Sequence, residues 1–168
     1  MNDLADNLEL VHANPERPAG EANAAHPVQY RELFSSSPME RIALVKAGMP
    51  AGTLITLARD MAAARELLYR WLGLARTTAN RKVRADERLD LDDSERVLGL
   101  GRLIGQVEQI VAESGDATGF SPAKWTASWL QTANPALNGR QPCEFMDTTE
   151  GRALVTNLVA RMQSGAYA

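Results

Sequence analysis

The most concentrated group of functional side chains is a run of positive charge at residues 76–84. This stretch, RTTANRKVR, contains Arg76, Arg81, Lys82 and Arg84 and no acidic residue. The whole chain is acidic, with 18 Lys+Arg against 21 Asp+Glu and a net charge of −3. A local excess of cations in an acidic chain indicates one basic face. Guanidinium, hydroxyl and amide groups on such a face are suitable donors to phosphates and base edges.

A glycine turn directly precedes the basic run, within Leu-Gly-Leu at residues 72–74. A helix-turn-helix needs a residue with left-handed backbone between its two helices, and glycine adopts this conformation without steric cost. The sequence therefore predicts a helix over about 63–72, a turn at Gly73 and a second helix over about 76–83. With this turn, four residues fall on the offsets expected to be buried: Leu68, Leu72, Leu74 and Ala79.

The second helix would place its polar side chains in a DNA major groove. The residues expected to contact DNA are Arg76, Thr77, Thr78, Asn80, Arg81, Lys82 and Arg84. Two positions depart from the usual pattern. Tyr69 stands where a small residue is common, and Val83 lies one place after the expected apolar position, which Lys82 occupies. A solvent-exposed helix without a ligand is the alternative interpretation.

Side chains that could support catalysis are not grouped. The two histidines, His12 and His26, lie near the start of the chain, and Cys143 has no neighbouring histidine in the sequence. The chain shows no glycine-rich phosphate loop, and its acidic run DERLDLDDSE lacks the spacing of a calcium loop. We therefore expect a protein that is not an enzyme and that uses no cofactor and no metal.

Helical periodicity extends through most of the chain, and no segment shows the alternation of a half-buried strand. The predicted fold class is therefore all-α. Ser37 and Glu40 have the spacing of a capping box before a helix that ends at Gly48, and Thr53 is expected to cap the next helix. Further helix starts are expected at Asp92 or Asp93, at Ser121 with Pro122, and at a second capping box of Asp147 and Glu150.

Three glycines lie inside the long helix expected over residues 92–113: Gly99, Gly101 and Gly105. Each costs about 1 kcal/mol relative to alanine in a helix interior. Close approach of another helix would offset this cost. That helix could belong to the same chain or to a second copy.

The chain has 168 residues, enough for one domain or two small ones. Pro15, Pro18 and Pro27 interrupt its start, so residues 1–36 are expected to form a flexible N-terminal extension. The single cysteine favours a reducing compartment. Because no signal peptide and no apolar run of about 20 residues is evident, we expect a cytoplasmic protein.

The C-terminal third contains a longer pattern. Trp125 and Trp129 lie one helical turn apart and are expected in the core, and Asn138-Gly139 marks a turn. The string Trp129-Leu130, then NPALNGR with Pro142, then Gly151-Arg152, then Gly165 and Tyr167 resembles the toxin-binding domain of the Xre/MbcA/ParS antitoxin family. LGLARTTANRK resembles that family's Xre-like helix-turn-helix. The resemblance implies a helix-turn-helix domain over 38–90 and a helical toxin-binding domain over 91–168.

The resemblance also implies a type II antitoxin. Such a protein would bind a RES-domain toxin, which consumes NAD or transfers ADP-ribose from it, and would close off the toxin's active site with its last residues. It would also repress their shared promoter, as a homodimer within a larger complex. A helix-turn-helix regulator without a toxin partner and a structural helical adaptor are the alternatives. The residues that the resemblance assigns to toxin contact are Trp129, Asn134, Pro135, Asn138, Gly139, Arg140, Arg152, Arg161, Gly165, Tyr167 and Ala168.

Overall fold

The computed structural model describes residues 27–115 and 117–163. These residues form helices and contain no strand, only an isolated antiparallel bridge between Pro50 and Arg88. The all-α prediction is therefore confirmed. The α-helices are α1 (Tyr30–Ser35), α2 (Pro38–Ala47), α3 (Thr53–Asp60), α4 (Arg65–Leu72), α5 (Arg76–Arg84), α6 (Leu91–Ser114), α7 (Pro122–Leu130) and α8 (Thr149–Gln163), with 3-10 turns at Pro135–Leu137 and Pro142–Phe145.

The capping box predicted before α2 is confirmed. Glu40 N–H donates to the Ser37 hydroxyl at 3.3 Å, and Ser37 N–H donates to the Glu40 carboxylate at 2.6 Å. Gly48 ends the helix with a φ of 79°. Ser121 likewise caps α7, because its hydroxyl accepts from Lys124 N–H at 3.4 Å.

At three other predicted helix starts, the predicted residue is not the cap. Thr53 is the first residue of α3, after Gly52, and no side chain caps that helix. Asp90 caps α6 in place of Asp92 or Asp93, accepting from Asp93 N–H at 2.9 Å. In the third case Gly151 N–H donates to the Thr148 hydroxyl at 3.1 Å, so the cap lies one residue after the predicted Asp147. Several neighbouring polar residues can cap a helix, and packing against the core decides which one does.

The helix α6 forms the centre of the molecule, and α1, α2, α7 and α8 pack around it. Its glycines are covered by other helices of the same chain. A Cβ on Gly105 would lie 1.9 Å from the Tyr30 carbonyl oxygen, and one on Gly101 would lie 3.0 Å from the end of the Leu33 side chain. Of the two alternatives left open by the sequence, packing within one chain is the one observed at both positions.

The expected extension over residues 1–36 is wrong for its last part. Residues 30–35 form α1, and the buried Tyr30 donates its hydroxyl to Asp60 at 2.8 Å. Burial and the neighbouring carboxylate raise the pKa of this tyrosine. Residues 1–26 lie outside the described residues. Within the described ranges, no helix combines the length and apolar character needed to cross a membrane.

Candidate nucleic-acid and protein interfaces

The turn and second helix predicted from Leu-Gly-Leu are present. Gly73 has left-handed backbone, with a φ of 64° and a ψ of 30°. The four residues expected to be buried at fixed offsets around it are buried: Leu68, Leu72, Leu74 and Ala79. The second helix, α5, begins at Arg76 although Ala75 offers no side-chain cap. Packing of the apolar face therefore sets this helix start.

The outward face of α5 forms a shallow polar groove. Its lining includes Arg76, Thr77, Asn80, Arg81 and Arg84, while Thr78 is half-buried. Arg76 lies 3.9 Å from Glu66 and Arg81 lies 2.6 Å from Glu87, and all four side chains are exposed. Exposed ion pairs contribute little to stability. Both guanidinium groups can therefore exchange these carboxylates for another anion.

Lys82 does not lie on this face, so its position in the structure does not support the predicted contact with DNA. The residue is only 8% exposed. Its ammonium donates to Asp90 at 2.9 Å, and Val83 beside it is also buried. The Lys82 stem fills the apolar position expected there, and its charge reaches the carboxylate at the start of α6. Hydrogen bonding from the Asp93 amide and from Lys82 lowers the pKa of Asp90.

Tyr69 provides a contact that sequence reasoning missed. The residue is 2% exposed, and its hydroxyl donates to the Asn80 side-chain oxygen at 3.1 Å. Burial raises the pKa of Tyr69. The available signal was its size at a position where a small residue is common. The large side chain spans the distance between the two helices, so its hydroxyl in α4 reaches Asn80 in α5.

The loop after α7 is held by its own backbone. Asn134 N–H donates to the Arg140 carbonyl, and Gly139 N–H donates to the Asn134 carbonyl, both at 3.0 Å. The Asn134 side chain accepts from Ala136 N–H at 2.9 Å. Asn138 and Gly139 have positive φ values of 56° and 79°, which confirms the predicted turn. Pro135, Asn138 and Gly139 are exposed on a fixed loop.

Arg140 is presented at the surface beside this loop. Its guanidinium lies 2.9 Å from the Glu144 carboxylate and 4.5 Å from the centre of the Phe145 ring. Hydrogen bonds from Gln141 and Arg140 lower the pKa of Glu144. The stacking and the ion pair give an exposed arginine a defined position.

The tryptophans before the loop are half-buried. Trp125 and Trp129 pack against the core on one side. Their rings are stacked, with centroids 5.8 Å apart and an interplanar angle of 9°. Phe120 lies 6.3 Å from the Trp125 ring and is itself partly exposed. These three aromatic side chains therefore combine core packing with an accessible aromatic surface along α7.

Arg152 does not lie on the candidate surface, so its position in the structure does not support the predicted direct contact with a toxin. It is 9% exposed. Its guanidinium donates to the Met146 carbonyl and the Thr149 hydroxyl, both at 3.1 Å, and packs over Gly99. Arg152 therefore holds α8 against α6. Arg161 is exposed, whereas Gly165, Tyr167 and Ala168 lie outside the described residues.

Among the remaining candidates for catalysis, the structure describes Cys143. Cys143 is buried, and burial raises the pKa of its thiol. In the part of the chain that the structure describes, no group of three His, Cys, Asp or Glu side chains could hold a metal ion. His12 and His26 lie outside that part.

Comparisons with known proteins identify both parts of the chain. Residues 40–102 match a family described as the antitoxin Xre-like helix-turn-helix domain. Residues 109–165 match the antitoxin Xre/MbcA/ParS C-terminal toxin-binding domain. The chain is also 39% identical over 142 residues to the Prs ADP-ribosylating antitoxin of Sphingobium sp. (strain YBL2), an alignment that covers 84% of this chain and 89% of that relative. The chain therefore belongs to the Xre/MbcA/ParS antitoxin family, with an Xre-like helix-turn-helix domain followed by a C-terminal toxin-binding domain.

Proposed function

We propose that this protein binds and neutralises a RES-domain toxin and also represses its own promoter as a homodimer. The observation that carries the proposal is the presence of two distinct surfaces on one chain: the basic face of α5 and the loop after α7. The similar protein from Sphingobium is named a Prs ADP-ribosylating antitoxin. This name supports a partner toxin that transfers ADP-ribose. The chain itself would act by binding and not by catalysis.

The DNA-binding step would use the outward face of α5. Arg76 and Arg81 are exposed, and each pairs with an exposed carboxylate. A two-fold dimer would place two such helices about one helical turn apart on a palindrome. Each arginine that contacts a phosphate should release counterions on binding, so the affinity should depend on salt concentration.

The test removes both arginines in an Arg76→Ala/Arg81→Ala variant and measures promoter binding between about 50 and 200 mM salt. We expect at least a tenfold loss of affinity and a salt slope reduced by about 2. The matched control removes two exposed cations from the other surface, as Lys124→Ala/Arg140→Ala, and should bind DNA like the wild type. An equal loss in both variants would show a general charge effect and contradict this assignment.

The toxin-binding step would use Trp129 and the exposed residues Pro135, Asn138, Gly139 and Arg140. The loop is preorganised by its backbone hydrogen bonds, so little conformational entropy is lost when a partner binds. Arg140 projects beside the aromatic surface and is the charged group best placed to anchor a partner. Arg152 would act indirectly, since it donates to the carbonyl of Met146, the residue next to Phe145.

The test is Arg140→Ala, assayed for toxin affinity and for thermal stability. We expect about a tenfold loss of affinity with an almost unchanged melting temperature, because exposed ion pairs contribute little to folding. Glu144→Gln is the matched control, since it removes the same ion pair and keeps the arginine. Lost stability with intact toxin binding would make Arg140 a structural residue.

Closing off the toxin's active site is assigned to the residues after α8, with Gly165, Tyr167 and Ala168 as the contacts. Deletion of residues 166–168 should leave complex formation intact and abolish rescue of growth in cells that express the toxin. Full rescue by the truncated protein would contradict this step. Failure of the full chain to co-purify with the product of a neighbouring gene would instead favour a regulator without a toxin partner.

A further inference from the structure

Asn80 lies on the exposed face of α5, but its orientation is set by α4. Its side chain contributes to the polar groove that also contains Arg76 and Arg81. The buried Tyr69 donates its hydroxyl proton to the Asn80 side-chain oxygen at 3.1 Å. A polar residue on the candidate DNA face is therefore held by a side chain fixed in the core.

The direction of this hydrogen bond follows from the groups around it. The positive charge of Arg65 also acts on the Tyr69 hydroxyl. Arginine has only donors and cannot accept the hydroxyl proton, so this proton is left for the Asn80 oxygen. Burial raises the pKa of Tyr69 despite the nearby positive charges of Arg65 and Arg76, so the phenol stays protonated at neutral pH. The Asn80 oxygen consequently points inward, and its amide NH₂ group points outward.

We propose that Tyr69 fixes Asn80 as a hydrogen-bond donor toward the major groove and thereby sets base specificity. The inference rests on the proposed DNA binding by α5. Guanine, adenine and thymine present acceptors in the major groove, whereas cytosine presents the donor N4 amino group. Cytosine should be rejected at the base that Asn80 contacts, because two donors would face each other. An unrestrained asparagine could turn its carboxamide over and accept from cytosine.

The test uses the full chain and an operator selected from randomised duplexes by the wild type. The base that Asn80 contacts is the position whose preference is lost in Asn80→Ala. Affinities are then measured for the four duplexes that differ at this base pair. The wild type should bind the cytosine duplex at least about fivefold more weakly than the best duplex. In Tyr69→Phe this ratio should fall below about twofold, while the melting temperature falls by no more than about 4 °C through loss of one hydrogen bond.

A second variant tests the same geometry by reversing it. In Asn80→Asp the carboxylate would accept from Tyr69 and present its other oxygen to the base. Its preference should move toward cytosine, because a carboxylate accepts from the N4 amino group. Tyr30→Phe is the matched control, since it removes another buried tyrosine hydroxyl that donates to Asp60, outside α5. This control should keep the wild-type ratio.

The outcomes separate this inference from the proposed function. Sequence-specific binding by the wild type with an unchanged ratio in Tyr69→Phe would overturn the role of Tyr69 and leave DNA binding in place. Asn80→Asp without a shift toward cytosine would overturn it as well. If adding Tyr69→Phe to Asn80→Ala relaxed the remaining base preferences of the operator as well, Tyr69 would act through another residue, and its proposed role would also be overturned. Absence of sequence-specific binding by the wild type would overturn both proposals.

Discussion

Replacing Gly105 with alanine should displace α1 from the centre of the fold. The added Cβ would lie 1.9 Å from the Tyr30 carbonyl oxygen and 2.5 Å from its carbonyl carbon. Both atoms belong to the main chain, so no side-chain rotation relieves the clash. The helix α1 would have to move by about 1.5 Å to restore ordinary contact.

The size of the effect follows from two opposing contributions. Forcing an extra carbon into a close-packed helix contact costs about 3 kcal/mol when the backbone must shift. Alanine returns about 1 kcal/mol through its higher helix propensity. The free energy of unfolding should therefore fall by about 2 kcal/mol. For a chain of this size the melting temperature should fall by about 4–8 °C.

Thermal unfolding followed by circular dichroism measures this change, and hydrogen exchange over residues 30–35 locates it. Gly101→Ala is the comparison variant, because its Cβ would lie 3.0 Å from the flexible end of Leu33 and in ordinary contact with the Tyr30 ring at 3.9 Å. That variant should lie within about 1 kcal/mol of the wild type. A Gly105→Ala protein as stable as Gly101→Ala, with unchanged exchange in α1, would refute the packing argument.

Three further predictions concern the supports of the two surfaces. Asp90→Asn keeps a good helix cap but loses the charge that pairs with Lys82. Folding lowers the pKa of Asp90 from 3.8. Urea unfolding should therefore give the wild type a higher free energy of unfolding than this variant above pH 3.8, and this difference should disappear as the pH falls through the folded pKa. In the same assay, Arg152→Ala should lower the free energy of unfolding by about 3 kcal/mol and Arg140→Ala by less than about 1 kcal/mol. The reason is that Arg152 is buried and donates to a backbone carbonyl, whereas Arg140 forms an exposed ion pair. Cys143 should react with a thiol reagent at least about tenfold more slowly in the folded protein than in urea, and equal rates would contradict its burial.

The parts of the fold that sequence reasoning predicted are those specified by local pattern. Leu68 and Leu72 have helical spacing, and Gly73 supplies the left-handed residue that the turn requires. The Ser37 capping box needs only residues three positions apart. Such features depend little on the rest of the chain, so a single sequence is sufficient to locate them.

The parts that were missed depend on contacts between residues distant in the sequence. The helix α1 has six residues and would be marginal alone, but the surface left open by Gly101 and Gly105 accepts it. From the sequence alone, Arg152 could be an exposed ligand-binding arginine. The structure shows that it packs against α6 and donates to the Met146 carbonyl. No local periodicity records either contact, so both needed the tertiary structure.

The two candidate surfaces are joined by one continuous helix. The start of α6 holds α5, because Asp90 both caps α6 and accepts from Lys82. Further along, Gln106 donates to the Thr156 carbonyl of α8 at 3.2 Å. The two matched domains, residues 40–102 and 109–165, therefore meet within a single helix that spans Leu91–Ser114. A flexible linker would let the two parts move independently, whereas this helix fixes the direction in which the candidate toxin-binding loop projects from the candidate DNA-binding face. If the proposed dimer binds a palindromic promoter, the spacing of the half-sites would therefore also constrain how two bound toxins are placed.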